Sequence, residues 1–240
     1  MRPTESEPDL IAESRRLCEI LQGKLPTFHF PSPIATVELT ENSLVTVMIP
    51  SKFEAVVGSL AWRAHDFATL ASDLLTAGRV IPGAVITRSL METTALVYCV
   101  HKKTKRALTD LHLEELDSFL VRCMSGDRLN KGEPESPNVL TLIQSLDKEP
   151  GCDQYADFYA SLCEFAHPNA LGSFYAYASF HHLSRTVFFG HNQGMTKGND
   201  IAFAVVFALE VLLEFLDKLQ SFVPQLTATA IELYPRDSAG

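Results

Sequence analysis

Arg88, Glu92, Glu164 and His167 are the side chains whose types and spacing could do chemistry. Arg88 and Glu92 lie four residues apart in VITRSLMETTALVYCV (85–100), so on a helix they touch. Exposed, such a pair contributes only ~0.3–0.5 kcal/mol. Their helix, however, is apolar on most sides, and burying each charge costs several kcal/mol unless further partners are supplied. Two readings follow: a buried bridge that holds neighbouring helices in register, or part of a site.

Glu164 and His167 form a single E-x-x-H in LCEFAHPN (162–169) and share one helical face. Di-iron bundles need two such pairs, and no other histidine here has a glutamate three residues before it. A mononuclear metal set of Glu92, Glu164 and His167 is the remaining metal reading. The alternative is that His167 caps a helix end that Pro168 stops. If the two helices meet, all four ionisable groups share a dry interior.

The remaining candidates have structural explanations beside functional ones. HKKTKR (101–106) is the densest basic run, read as a solvated helix end or as a phosphate or RNA contact. His181 and His182 are adjacent, and neighbours on a strand face opposite ways, which argues against shared chelation. There is no G-x-S-x-G, P-loop or G-x-G-x-x-G, and no cofactor is expected. The aromatics from Phe174 to Phe189 read as core rather than as a base-stacking platform.

The elements that must position these residues are helices. Residues 1–35 read as an N-terminal helix (about 4–22) and an extended Pro-rich linker, and 36–240 as one helical-bundle domain. Residues 37–49 alternate and predict a small hairpin that Pro50 ends. Long helices follow at about 51–77, 82–104 and 106–124. The breaker-rich loop SGDRLNKGEPESP (125–137) leads to shorter helices after Ser136-Pro137 and from Asp153 to His167. Residues 174–190 predict a second hairpin turning near His181-His182-Leu183, or a continued helix. A helix at about 200–221 and a short one after Pro224 complete the chain. The fold class is mainly α, a helical bundle with one or two small β-hairpin additions.

Composition bounds the function. In 240 residues, 20 Lys and Arg against 29 Asp and Glu give a net charge of −9. That disfavours RNA as a partner for the chain as a whole. Five cysteines, an odd number with no CxxC, predict reduced thiols in a cytoplasmic protein. The start MRPTESEPDL lacks an apolar signal region. The most apolar stretch, 201–216, carries Glu210 and Glu214, so no membrane partner is expected.

The order of motifs resembles a group of uncharacterised bacterial helical proteins, which share an Arg-Ser-Leu-x-Glu helix and a Glu-x-x-His-Pro helix end. The matching residues are Arg88-Ser89-Leu90-Met91-Glu92 and Glu164 to Pro168, and the likeness covers roughly 50–190. The group is distantly similar to the HEPN superfamily. That resemblance implies an Arg-x(4–6)-His motif for metal-independent RNA cleavage, and a homodimer in which two motifs meet. Arg106…His112 and Arg185…His191 have the spacing. Two functions are therefore expected. One is a helical module that binds a protein or small molecule and holds a buried Arg/Glu/His cluster. The other is a HEPN-type ribonuclease in a defence or stress system, with His112 or His167 as general base and an Arg stabilising the anionic transition state.

Overall fold

A computed structural model describes residues 9–25, 41–126, 134–190 and 198–233. Helix α1 spans Leu10–Lys24, α2 Glu41–Thr76, α3 Val80–Asp110, α4 Glu114–Ser125, α5 Val139–Leu146 and α6 Tyr155–Ala166. A π turn (Ala170–Phe174) and one turn of helix, α7 (Tyr175–Tyr177), lead into strands β1 (Ala178–His181) and β2 (Thr186–Phe189). Helices α8 (Gly198–Gln220) and α9 (Val223–Leu233) follow. The mainly-α bundle with a small hairpin is as expected.

Helix α3 is the axis. It packs against α2, α8, α5, α6 and α4, and Leu90, Met91, Ala95, Val97 and Val100 are completely buried. Polar residues on so enclosed a helix need partners. Thr87 and Thr104 donate to the carbonyls of Gly83 and Val100, each at 2.8 Å. Thr94 reaches across to the Ala208 carbonyl of α8 at 3.3 Å. Among the described residues α3 is also the one helix long and apolar enough to cross a membrane, although half of its most apolar window is buried in the bundle.

Helix α1 is packed into the same core through Leu17, Cys18 and Leu21, and Ser14 and Ser72 share a buried 2.9 Å hydrogen bond. Its N-cap is Asp9, whose carboxylate accepts from the Ile11 and Ala12 amides. The start expected near residue 4 lies outside the described residues.

The hairpin expected over 37–49 is not formed. Residues 41–49 are helical and Pro50 lies inside α2; residues 37–40 are outside the described set. The buried positions explain the outcome. Ile49, Phe53 and Val56 are spaced for one helical face and are all buried, so tertiary packing carries the helix across the proline and overrides β propensity. Ala61, Ala64, Ala68 and Ala71 continue this buried side.

The helix expected to stop near 104 runs on to Asp110. HKKTKR therefore does not occupy its last turn. The break comes at Leu111, which adopts left-handed φ 52°. In the aromatic segment the hairpin alternative is realised, with Ala178 paired to Phe189 and His181 to Thr186 in antiparallel register.

Candidate functional site

Helix α6 reaches α3 through two tyrosines four residues apart. Tyr155 is completely buried and donates to the Met91 carbonyl at 3.0 Å. Burial pushes its phenol strongly upward in pKa. One turn on, the Tyr159 hydroxyl donates to Glu92 Oε1 at 2.8 Å and accepts from Arg88 Nη2 at 3.1 Å. Arg88 Nη2 lies 3.1 Å from the same Glu92 oxygen. The guanidinium carbon also sits 5.4 Å from the centroid of the Tyr159 ring.

Three groups thus close on one another. Burial, with Glu92 alongside, pushes the Tyr159 phenol up to about 12 against the lowering effect of Arg88. For Arg88 burial opposes the charge, but the Tyr159 hydroxyl and the Glu92 carboxylate outweigh it and raise the pKa. Arg88 Nε is buried with no hydrogen-bond partner, while about a third of the Arg88 side chain (36%) remains exposed. The group is a joint between α3 and α6, open at one edge.

Glu164 and His167 do not join it. Both are exposed. Glu164 Oε2 accepts from Asn169 Nδ2 at 2.7 Å. The Asn169 side-chain oxygen accepts from the Gly172 amide at 2.9 Å. His167 is the C-cap of α6, and its amide donates to the Cys163 carbonyl. LCEFAHPN is therefore a turn-building phrase. Glu92, Glu164 and His167 are not brought together as a metal set, and no cluster of three or more metal-ligating side chains occurs among the described residues. The expected shared centre of Arg88, Glu92, Glu164 and His167 is replaced by Arg88, Glu92 and Tyr159. The missed tyrosines had a signal: their i, i+4 spacing in QYADFYASL (154–162).

Arg106 and His112 fare differently. Both line a cleft of about 320 Å³ at the junction of α3 and α4, with Lys103, Asp110 and Glu115. Arg106 Nε pairs with Asp110 Oδ2 at 3.3 Å, and His112 Nε2 with Glu114 Oε2 at 3.4 Å. Leu111, between them, holds the left-handed conformation that turns His112 back toward the end of α3. In the second pair, Arg185 sits in the hairpin turn with φ 51°, and His191 lies outside the described residues.

The basic run is dispersed over structural partners. Lys102 Nζ donates to Ser145 Oγ at 3.1 Å and lies over the Tyr98 ring, and Lys103 lies over Phe119. His101, read as part of a solvated end, is buried with its ring between Phe215 and Phe222, at centroid distances of 5.0 and 5.4 Å.

The hairpin is the other outward feature. Cross-strand partners share a face and alternate along the ribbon. One face carries Ala178, Phe180, Val187 and Phe189; the other carries Ser179, His181, Thr186 and Phe188. All of these except Ala178 are exposed, as is Leu183 at the tip. The strands pack mainly on each other. His181 Nδ1 shares a 2.9 Å hydrogen bond with Ser184 Oγ, so it braces the turn, while the His182 ring lies edge-on to Phe180.

Neither a protein-family model, nor a curated protein, nor a solved structure matches this chain.

Proposed function

We propose that this protein is a protein-binding helical module that engages its partner through the β1–β2 hairpin. The Arg88–Glu92–Tyr159 joint fixes α6 against α3 within the bundle. The observation that carries the reading is the apolar ribbon face of Phe180, Val187 and Phe189, all exposed. A two-stranded hairpin alone is marginal in water, and contiguous exposed apolar surface marks interaction sites. The joint supports a structural role for Arg88 because both Tyr159 and Glu92 are engaged by its Nη2 and by each other. The reading includes a reducing, cytoplasmic setting. In its support all five cysteines are unpaired, and burial raises the pKa of Cys18, Cys99, Cys123 and Cys152. The test is a photo-crosslinking residue at Leu183, activated in cells. A discrete protein adduct, lost when Phe189→Ser is added, supports docking; absence of any discrete adduct rejects it.

A second reading, the HEPN-type ribonuclease, is favoured by one observation: Arg106 and His112 line the same cleft. His112 would take the proton of a ribose 2′-hydroxyl as its oxygen attacks the neighbouring phosphorus, and Arg106 would stabilise the anionic phosphorane; the P–O5′ bond then breaks, the 5′-oxygen leaves with a proton from water, and a 2′,3′-cyclic phosphate remains. RNA would first have to displace Asp110 and Glu114 from these two residues. Incubation with single-stranded RNA decides the matter. Cleavage that survives chelator and disappears in His112→Ala supports it; no cleavage sinks it.

A further inference from the structure

The chain's acidic residues are unevenly spread. No Asp or Glu stands between Glu164 and Asp200, although the chain holds 29 of them and a net charge of −9. The hairpin lies inside this acid-free stretch, and Arg185 in its turn is the one Lys or Arg from Ala178 to Gly190. Two copies of so acidic a body repel one another over most of their surface. The hairpin itself brings no carboxylate to a contact.

From this we infer that the partner covering the hairpin is a second copy of this chain, packed two-fold so that Phe180, Val187 and Phe189 meet their equivalents. The inference rests on the docking reading above and names its occupant. An isologous contact requires a self-complementary patch, and a ribbon face with no charged side chain meets that condition. Each copy offers apolar area on the order of 500 Å² from Phe180, Val187, Phe189 and the tip residue Leu183. That gives roughly 1,000 Å² in total, the small end of specific interfaces. The dimer is therefore concentration-dependent. A membrane surface fits less well, because an anionic leaflet repels a body of this charge.

Salt separates these cases. Self-association of like-charged bodies strengthens as ions screen their repulsion, whereas attachment to an anionic surface weakens. Sedimentation velocity on the full chain, from micromolar to sub-millimolar concentration, should show the 26.5 kDa monomer passing into a dimer, more readily at high salt. The Phe180→Ser/Phe189→Ser variant should remain monomeric with an unchanged circular dichroism spectrum. Arg185→Glu, which turns the one Lys or Arg of the hairpin into an anion and adds two negative charges to a copy already at −9, should weaken the dimer at low salt and less so at high salt. A wild type that stays monomeric throughout overturns the inference, as does a double variant that dimerises equally well. Monomer that sediments with anionic vesicles, less so at high salt, overturns it in favour of a membrane. The Leu183 crosslink keeps the two levels apart. A self-adduct supports the inference, an adduct with a different protein overturns it and leaves docking standing, and no adduct overturns both.

Discussion

The Tyr159 hydroxyl donates to Glu92 Oε1 at 2.8 Å and so ties α6 to the charged turn of α3. Removing it in Tyr159→Phe leaves the phenyl ring and deletes two hydrogen bonds to partly buried charged groups. The expected loss is about 1–2 kcal/mol. Arg88→Ala should cost about 1–3 kcal/mol. That is below the figure for breaking a fully buried pair, because solvent reaches about a third of the Arg88 side chain. The double variant should lose less than the sum, since both changes dismantle one joint. Urea denaturation of the four proteins measures the coupling; strict additivity would mean the three groups act independently.

How much of this was legible beforehand differs by element. The central helix was readable because its apolar residues surround it, and so was the i, i+4 contact of Arg88 with Glu92. The hairpin at 178–189 was one of two readings of its aromatic and β-branched content, and the aromatics expected in the core, among them Phe174, Phe180, Phe188 and Phe189, are exposed instead. Residues 41–49 were not, because alternation over a short run resembles the start of a helix whose burial is decided by distant partners. The partner of the Arg–Glu pair was also missed. Glu164 and His167 drew attention as ionisable groups, yet solvent hydrates them cheaply at a helix end. Tyrosines, which carry an apolar body to a dry contact and a hydroxyl to its polar tip, were the better candidates.

Gly172 sits where the π turn folds back on the end of α6. A Cβ there would stand 2.0 Å from the His167 carbonyl oxygen and 2.6 Å from that of Phe165. Gly172→Ala must therefore push backbone aside, at a cost of about 1–3 kcal/mol. Asn169→Ala removes the side-chain cap on the same turn and should cost about 1 kcal/mol. Thermal melts check both, and hydrogen exchange should place the loosening at 164–177. A Gly172→Ala protein as stable and as protected as wild type would mean that the turn is not built this way.

His101 makes stability depend on pH. Burial first, then the cations Lys218 and Lys105, depress its pKa, against opposing pulls from Glu149 and Glu214. Its Nδ1 has no hydrogen-bond partner. A histidine whose folded pKa lies below its unfolded value of about 6.5 binds fewer protons when folded. Its contribution is fully present above that unfolded value and is lost as pH falls toward the folded one. The melting temperature should therefore drop between pH 7.5 and pH 5.5 on the order of a few degrees. His101→Phe, which fills the slot between Phe215 and Phe222, should flatten that part of the profile. Identical slopes in both proteins would assign the acid sensitivity to other groups.

Leu111 ends α3 in the left-handed conformation at φ 52°, where its Cβ crowds the following carbonyl at a cost of roughly 1–2 kcal/mol. Its amide and that of His112 both donate to the Ala107 carbonyl, a helix ending that usually recruits glycine. Leu111 is half exposed (52%), so little apolar burial offsets the strain. Leu111→Gly relieves the crowding while adding freedom to the unfolded chain, and the net gain should be about 0.5–1 kcal/mol. In a chain of this length that raises the melting temperature by ~1–4 °C. The same substitution loosens the span between Arg106 and His112. If the α3–α4 cleft cleaves RNA, turnover should fall even as the fold is strengthened. A destabilised Leu111→Gly protein would show that the Leu111 side chain contributes more through contacts than its conformation costs.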